Sequence, residues 1–386
     1  MKLFSKKEYL INSIIFFSII FLITLYKCLL GFKADLFFEP GDPLAWKNLA
    51  IQIYEKGVFQ EPFPKDQPFR SWRTPGYAFY LSILKYLNIL NFFFVFFMNI
   101  LFLTAGFLLS YLISKNFIKN KNIIYIIIIY CVITHIGTLS AIAQKNMNEC
   151  LYFFMISGSI YLILSKNNWL NTIGFFILGL SVLVRSTILP LMFLLFIFLV
   201  IISLYLKKNL IKIKYTLILI PLILWLIRNY LIFNEFGFFI GSNSDHLLLG
   251  TFKEVDWNFI DNVYNNVHSK IKSFEILRSE LRMKLAISRI LENPFQYIII
   301  KLDVIIRHLF DHFAIIPLTL LFSKILFLNK KLLFLKTNKI ILILTILSIL
   351  FLLINSITIY NPRYGVIASF YLSLFSIITY LKIKKL

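Results

Sequence analysis

Long apolar runs alternate with short polar ones along this chain, and the runs set the expected elements. Stretches of about 17 to 24 apolar residues are long enough to cross a bilayer as helices. They occur near 9 to 30, 91 to 113, 123 to 141, 149 to 165, 170 to 187, 188 to 206, 215 to 233, 313 to 328, 340 to 358 and 364 to 381. The pattern predicts an all-α polytopic membrane protein of ten transmembrane helices.

Two longer polar segments, 31 to 77 and 234 to 312, break the alternation and read as large extracytoplasmic loops containing interfacial helices. In the first, Asp42 and Pro43 followed by LAWKNLAIQIYEK and then Gly57 spell a helix with Asp42 at the N-cap, Pro43 in the first turn and Gly57 past the end. In the second, FEILRSELRMKLAISRILENP carries apolar residues at Ile276, Leu277, Leu281, Leu285 and Ile290, an amphipathic helix ending near Pro294. Residues 295 to 312 are apolar but hold Lys301, Asp303, Arg307, His308, Asp311 and His312, and read as a helix lying in the interface. Residues 1 to 386 form one membrane domain in this reading, with no separate C-terminal soluble domain. The opening MKLFSKKEYL reads as the start of an uncleaved signal anchor.

Composition supports the membrane reading. At 59% hydrophobic residues and a mean hydropathy of +0.80, the chain is too apolar for an ordinary water-soluble domain. The net charge of +22 would suggest a nucleic-acid partner elsewhere. Here lysines crowd the short loops 114 to 122, 207 to 214, 329 to 339 and the tail, as the positive-inside rule requires, so nucleic acid is not expected. Both termini are then cytoplasmic and the carboxylate-bearing loops extracytoplasmic, in a multi-pass protein of the cell membrane. Cys28, Cys131 and Cys150 have no metal-ligand spacing and read as small buried hydrophobes.

Arginine changes the picture. The nine arginines, 70, 73, 185, 228, 278, 282, 289, 307 and 363, fall on the outer side or near outer span ends, while the inner loops use lysine alone. A planar bidentate donor for phosphate or carboxylate explains that choice, and snorkelling to the interface is the plainer account. Arg185, between two spans, needs a partner, and a lipid phosphate is a natural one. Asp42, flanked by Asp35 and Glu39, serves either as a helix cap or as a general base or metal-orienting ligand. Arg73-Thr74-Pro75-Gly76-Tyr77 makes a turn into a membrane-directed helix, and its arginine can meet a phosphate there. Glu149 opens a span, where the macrodipole favours a carboxylate. His308, Asp311 and His312 have helical metal-ligand spacing but read as the polar face of the interfacial helix, so no metal site is assigned.

Asp42 with Trp46 and Ala50, Arg73 to Tyr77, Gly179-Leu180 with Arg185, Thr187 and Pro190, Arg228-Asn229, and Asn361 to Tyr364 occur in an order that resembles polyprenyl-phosphate-sugar-dependent membrane glycosyltransferases of the GT-C type, the group of protein O-mannosyltransferases and lipid A aminoarabinose transferases. Ala78 departs mildly, since that family usually has a proline after the tyrosine. The resemblance implies an inverting transfer of a sugar from a polyprenyl phosphate to a glycan, lipid or protein acceptor outside the membrane. It implies Asp42 as base, Glu149 as a second carboxylate in the same cleft, Arg73, Arg185, Arg228 and Arg363 on the donor phosphate, and Glu39 and Tyr77 on substrate. No cofactor is specified, and a divalent cation is left open. The competing readings are a transporter or flippase of a lipid-linked saccharide and an oligosaccharide polymerase or ligase.

Overall fold

A computed structural model describes residues 2–30, 42–60, 73–193, 216–234, 247–248, 251–252, 274–326, 339–357 and 362–384. These form thirteen α-helices: α1 (Lys2–Leu29), α2 (Asp42–Lys56), α3 (Pro75–Tyr86), α4 (Phe92–Lys115), α5 (Lys121–Gln144), α6 (Glu149–Ile163), α7 (Asn168–Val184), α8 (Ile220–Phe233), α9 (Phe274–Glu292), α10 (Pro294–Asp311), α11 (Ile315–Leu326), α12 (Lys339–Asn355) and α13 (Pro362–Lys384).

Asparagine sets many of the helix ends. Asn91, Asn120 and Asn167 accept hydrogen bonds from the first-turn amides of α4, α5 and α7, supplying acceptors that the helix itself cannot. Asn88, Asn146 and Asn234 take positive φ just past α3, α5 and α8, the left-handed geometry that asparagine tolerates. Gly57, at φ +64, ends α2 in the same way, directly after Lys56.

The core is one apolar cluster in which α4 packs on α5 and α6, α6 on α7, and α13 on α5, α11 and α12. Serine and threonine inside it return their hydroxyls to their own helices: Ser110 to the Gly106 carbonyl, Ser157 to that of Phe153 and Thr104 to that of Ile100. Such residues can be buried without an unsatisfied donor.

This architecture corrects the ten-span expectation. Among the described residues three helices are long and apolar enough to cross a membrane: α4, α5 and Gly365–Lys382 of α13. The number reaches four if α10 and α11, which meet at 99°, count as one broken crossing. Glu149–Ile163 and Asn168–Val184 are apolar helices of 15 and 17 residues, and the described apolar stretches Ile14–Leu29, Leu217–Ile232 and Ile341–Asn355 run 10–17 residues. Apolar composition alone overstated them, because protein neighbours can satisfy an apolar helix as well as lipid does. In α13, 78% of the membrane-length stretch is buried inside the protein. The all-α class stands, whereas the polytopic fold with ten crossings does not. The alternation of inner and outer loops depended on those crossings, so the multi-pass cell-membrane localisation and the extracytoplasmic placement of 31 to 77 and 234 to 312 fall with it. Most of the expected span 188 to 206 lies outside the described residues.

Candidate functional site

Helix α3 begins where its sequence says it must. Thr74 is extended at the N-cap and Pro75, with φ already fixed, opens the first turn. Gly76 then lets α3 touch the end of α7: a Cβ there would lie 2.8 Å from the Leu183 carbonyl carbon and oxygen and from the Val184 nitrogen. Across this contact the Thr74 hydroxyl donates to the Val184 carbonyl at 2.8 Å, and the Asn148 amide donates to the same oxygen at 2.7 Å. One carbonyl at the end of α7 thus ties down the starts of α3 and α6.

Arg185 follows immediately, extended at φ −153, with its N–H held by the Ser181 carbonyl at 2.9 Å. Its guanidinium pairs with Glu149 Oε1 in the first turn of α6. Arg363, at the start of α13, brings its Nε to 3.8 Å from the same oxygen and donates to Met147 Sδ at 3.5 Å. The carboxylate is buried while both arginines keep a partly exposed edge. Glu149 Oε2 makes no hydrogen bond among the described residues.

Tyr77 carries the cluster inward. Its hydroxyl donates to the Asn146 carbonyl at 2.9 Å, and Asn99 Nδ2 donates to Asn146 Oδ1 at 3.3 Å. Burial, reinforced by Cys150 and Tyr80, pushes the Tyr77 phenol well above its ordinary pKa, so it acts as a fixed donor. Trp46 of α2 meets the Tyr77 ring edge-on at 5.7 Å, and the Arg73 guanidinium lies 5.3 Å over the indole.

On the other side of the α3–α7 contact a groove of about 800 Å³ opens between the end of α2 and helices α3, α7 and α8. Ile53, Phe59, Phe79, Leu180, Leu183 and Trp225 supply apolar walls, and Arg228 is the only charged residue among its described lining. The Arg228 guanidinium stacks 4.6 Å over Trp225 and 5.4 Å over Phe59, and it donates to the Phe59 carbonyl at 3.1 Å and to Asn229 Oδ1 at 2.8 Å.

The fold therefore joins Glu149, Arg185 and Arg363, brings Arg73 near Tyr77 through Trp46, and puts Arg228 on the groove instead. Asp42 is the first residue of α2, but its side chain lies outside the described residues, as does Glu39 entirely. No group of three or more His, Cys, Asp or Glu that could hold a metal stands together among the described residues. His308 and His312 are buried, and His312 stacks on His135 at 5.2 Å, a pairing across 177 residues of sequence with no local signal. Sequence reasoning also missed Asn148 and Phe59. Asn148 could have been found, since a cap-forming residue directly precedes Glu149 and an apolar run.

No family model matches this chain, and neither a curated protein nor a solved structure matches it. The resemblance to GT-C glycosyltransferases is corrected accordingly: weak motifs in a plausible order do not make a family when no wider similarity follows. The proposed sugar transfer from a polyprenyl phosphate falls as well, together with the transporter and polymerase alternatives, because each was built on the ten-span, two-loop topology that the described helices do not have.

Proposed function

We propose that this protein binds an anionic amphiphile, with the apolar tail in the groove between α2, α3, α7 and α8 and the anionic head at Arg228. The observation that carries the reading is the groove itself, apolar along its described walls with a single oriented guanidinium among them. Its volume of about 800 Å³ lies in the range of small-molecule sites. Trp225, Phe59 and the Asn229 amide hold the guanidinium in one plane, so little side-chain entropy remains to be lost on binding. Each buried methylene contributes roughly 0.8 kcal/mol, so a tail of about ten carbons offers about 8 kcal/mol before the costs of association. The head supplies orientation. Phosphate and carboxylate share the chemistry that a guanidinium fork recognises, and a lipid phosphate belongs to this class.

The test is equilibrium binding of dodecyl phosphate, dodecanoate and dodecanol to the full chain in neutral detergent. Saturable binding of the two anions, at least tenfold tighter than dodecanol, is expected. Leu180→Trp should fill the groove and abolish it, and Arg228→Ala should remove the preference for the anions. Equal binding of dodecanol to the unaltered protein would sink the reading.

A further inference from the structure

Helix α10 carries two separate faces besides its polar one, and they meet different surroundings. Ile300, Val304 and His308, at successive turns, are buried. At His308 that face meets the start of α13: Gly365 stands where a Cβ would strike the imidazole, and the Ser369 hydroxyl donates to the His308 carbonyl at 3.4 Å. The second face is made by Phe295, Ile298, Ile299, Leu302, Ile306 and Phe310. All six are exposed, Phe295 at 79%. At 1.5 Å per residue this apolar stripe runs roughly 22 Å, nearly the whole helix.

Polar residues hold the flank between those faces. Gln296, Asp303 and Arg307 share one side of the helix, with Gln296 exposed and the other two paired at 2.9 Å with nearly half of each side chain exposed. Around its circumference α10 therefore presents a protein side, an exposed apolar side and a polar side. A helix surrounded by water has no use for the second, and one deep in hydrocarbon has none for the third. Its direction agrees with a boundary. Helix α11 packs on α13 and meets α10 at 99°, and the membrane-length stretch of α13 begins at Gly365, where α10 touches it. A helix at right angles to its neighbour, at the end of a membrane-length stretch, is placed to run along a bilayer surface instead of through it.

We infer that α10 rests in the surface of a lipid bilayer, with its apolar stripe toward the acyl chains and the flank of Gln296, Asp303 and Arg307 toward water. Charge selects this occupant over a second copy of the chain. The net charge of +22 attracts an anionic bilayer and opposes the stacking of two copies on one another. Sinking the stripe into lipid also removes six large apolar side chains from water, which is what binds an amphipathic helix to such a surface. This surface shares no residue with the Arg228 groove and does not depend on it.

The experiment places the full chain in nanodiscs of phosphatidylcholine and phosphatidylglycerol, with a nitroxide on Ile299→Cys, Ile306→Cys or Gln296→Cys, one variant at a time. Cys28, Cys131 and Cys150 are buried, so the label goes to the introduced thiol. Electron paramagnetic resonance then reads collisions with oxygen, which concentrates in lipid, and with a nickel chelate, which stays in water. The oxygen-to-nickel ratio at Ile299→Cys and Ile306→Cys should be about tenfold that at Gln296→Cys, as for an apolar face sunk below the headgroups. Equal ratios at all three would put the stripe in water and overturn the proposal. Few collisions with either reagent on the stripe would mean a protein cover, whether a second copy or another chain, and would overturn it as well. Ile299→Cys and Ile306→Cys read the same stripe independently, so the result does not hang on one variant folding.

Discussion

Arg185 with Glu149 and Arg307 with Asp303 are both arginine–carboxylate pairs, yet they belong to different physical regimes. The first joins the end of α7 to the start of α6, with the Glu149 side chain 1% exposed and a second arginine on the same oxygen. The second spans one turn of α10 at 2.9 Å, with side chains 48% and 45% exposed. Water around the surface pair screens its attraction and solvates either partner if the other is removed. Around Glu149 there is no such substitute, so the pair is costly to break whatever it contributed to forming the fold. Burial, rather than the chemistry of the partners, decides what each pair does.

Removing the buried carboxylate by Glu149→Ala should cost about 3–5 kcal/mol, because two largely buried arginines lose the partner they share. Chemical denaturation of the purified chain reads this directly, and a loss below about 1 kcal/mol would erase the contrast between the two pairs. A smaller effect is expected at the neighbouring contact. Gly76→Ala puts a methyl group 2.8 Å from the backbone of Leu183 and Val184, which cannot rotate aside as a side chain would. Overpacking of this kind costs about 1–3 kcal/mol, and it should lower the melting temperature while leaving helix content unchanged. The smallest effect belongs to Asp303→Asn, expected within about 0.5 kcal/mol of the unaltered protein. A cost of several kcal/mol there would show α10 buried in solution and would erase the contrast between the two pairs.

Local features were legible in the sequence. Asp42, Pro43 and Gly57 bracket α2, and the structure runs that helix from Asp42 to Lys56 with Gly57 in the left-handed region. The amphipathic pattern before Pro294 corresponds to α9, and the mixed segment after it to α10. Each depends on side chains acting on their own backbone or on neighbours one turn away. The number of crossings was not legible, since a helix surrounded by protein and one surrounded by lipid have the same apolar composition. Cys150, Phe153 and Ile156 of α6 are all buried in the core, yet in sequence 149 to 165 read as a crossing. Arg185 and Arg363 were picked out singly, but their convergence on Glu149 joins residues 36 and 214 positions from it, and no local pattern encodes that. The groove was invisible for the same reason, because its walls come from four helices distributed between Ile53 and Ile232.

The Val184 carbonyl, which receives both Thr74 and Asn148, also sets an order of assembly. Thr74 lies 110 residues ahead of its acceptor, so the start of α3 has no place to dock until α4, α5, α6 and α7 have been synthesised. On a ribosome adding about 5–20 residues each second, α3 waits on the order of ten seconds with the side that meets α7 uncovered. That interval makes the nascent chain a client for whatever cellular factor shields apolar helices, and removing it by circular permutation between α3 and α4, which places α3 after α7 in synthesis, should speed productive folding without altering the finished contacts.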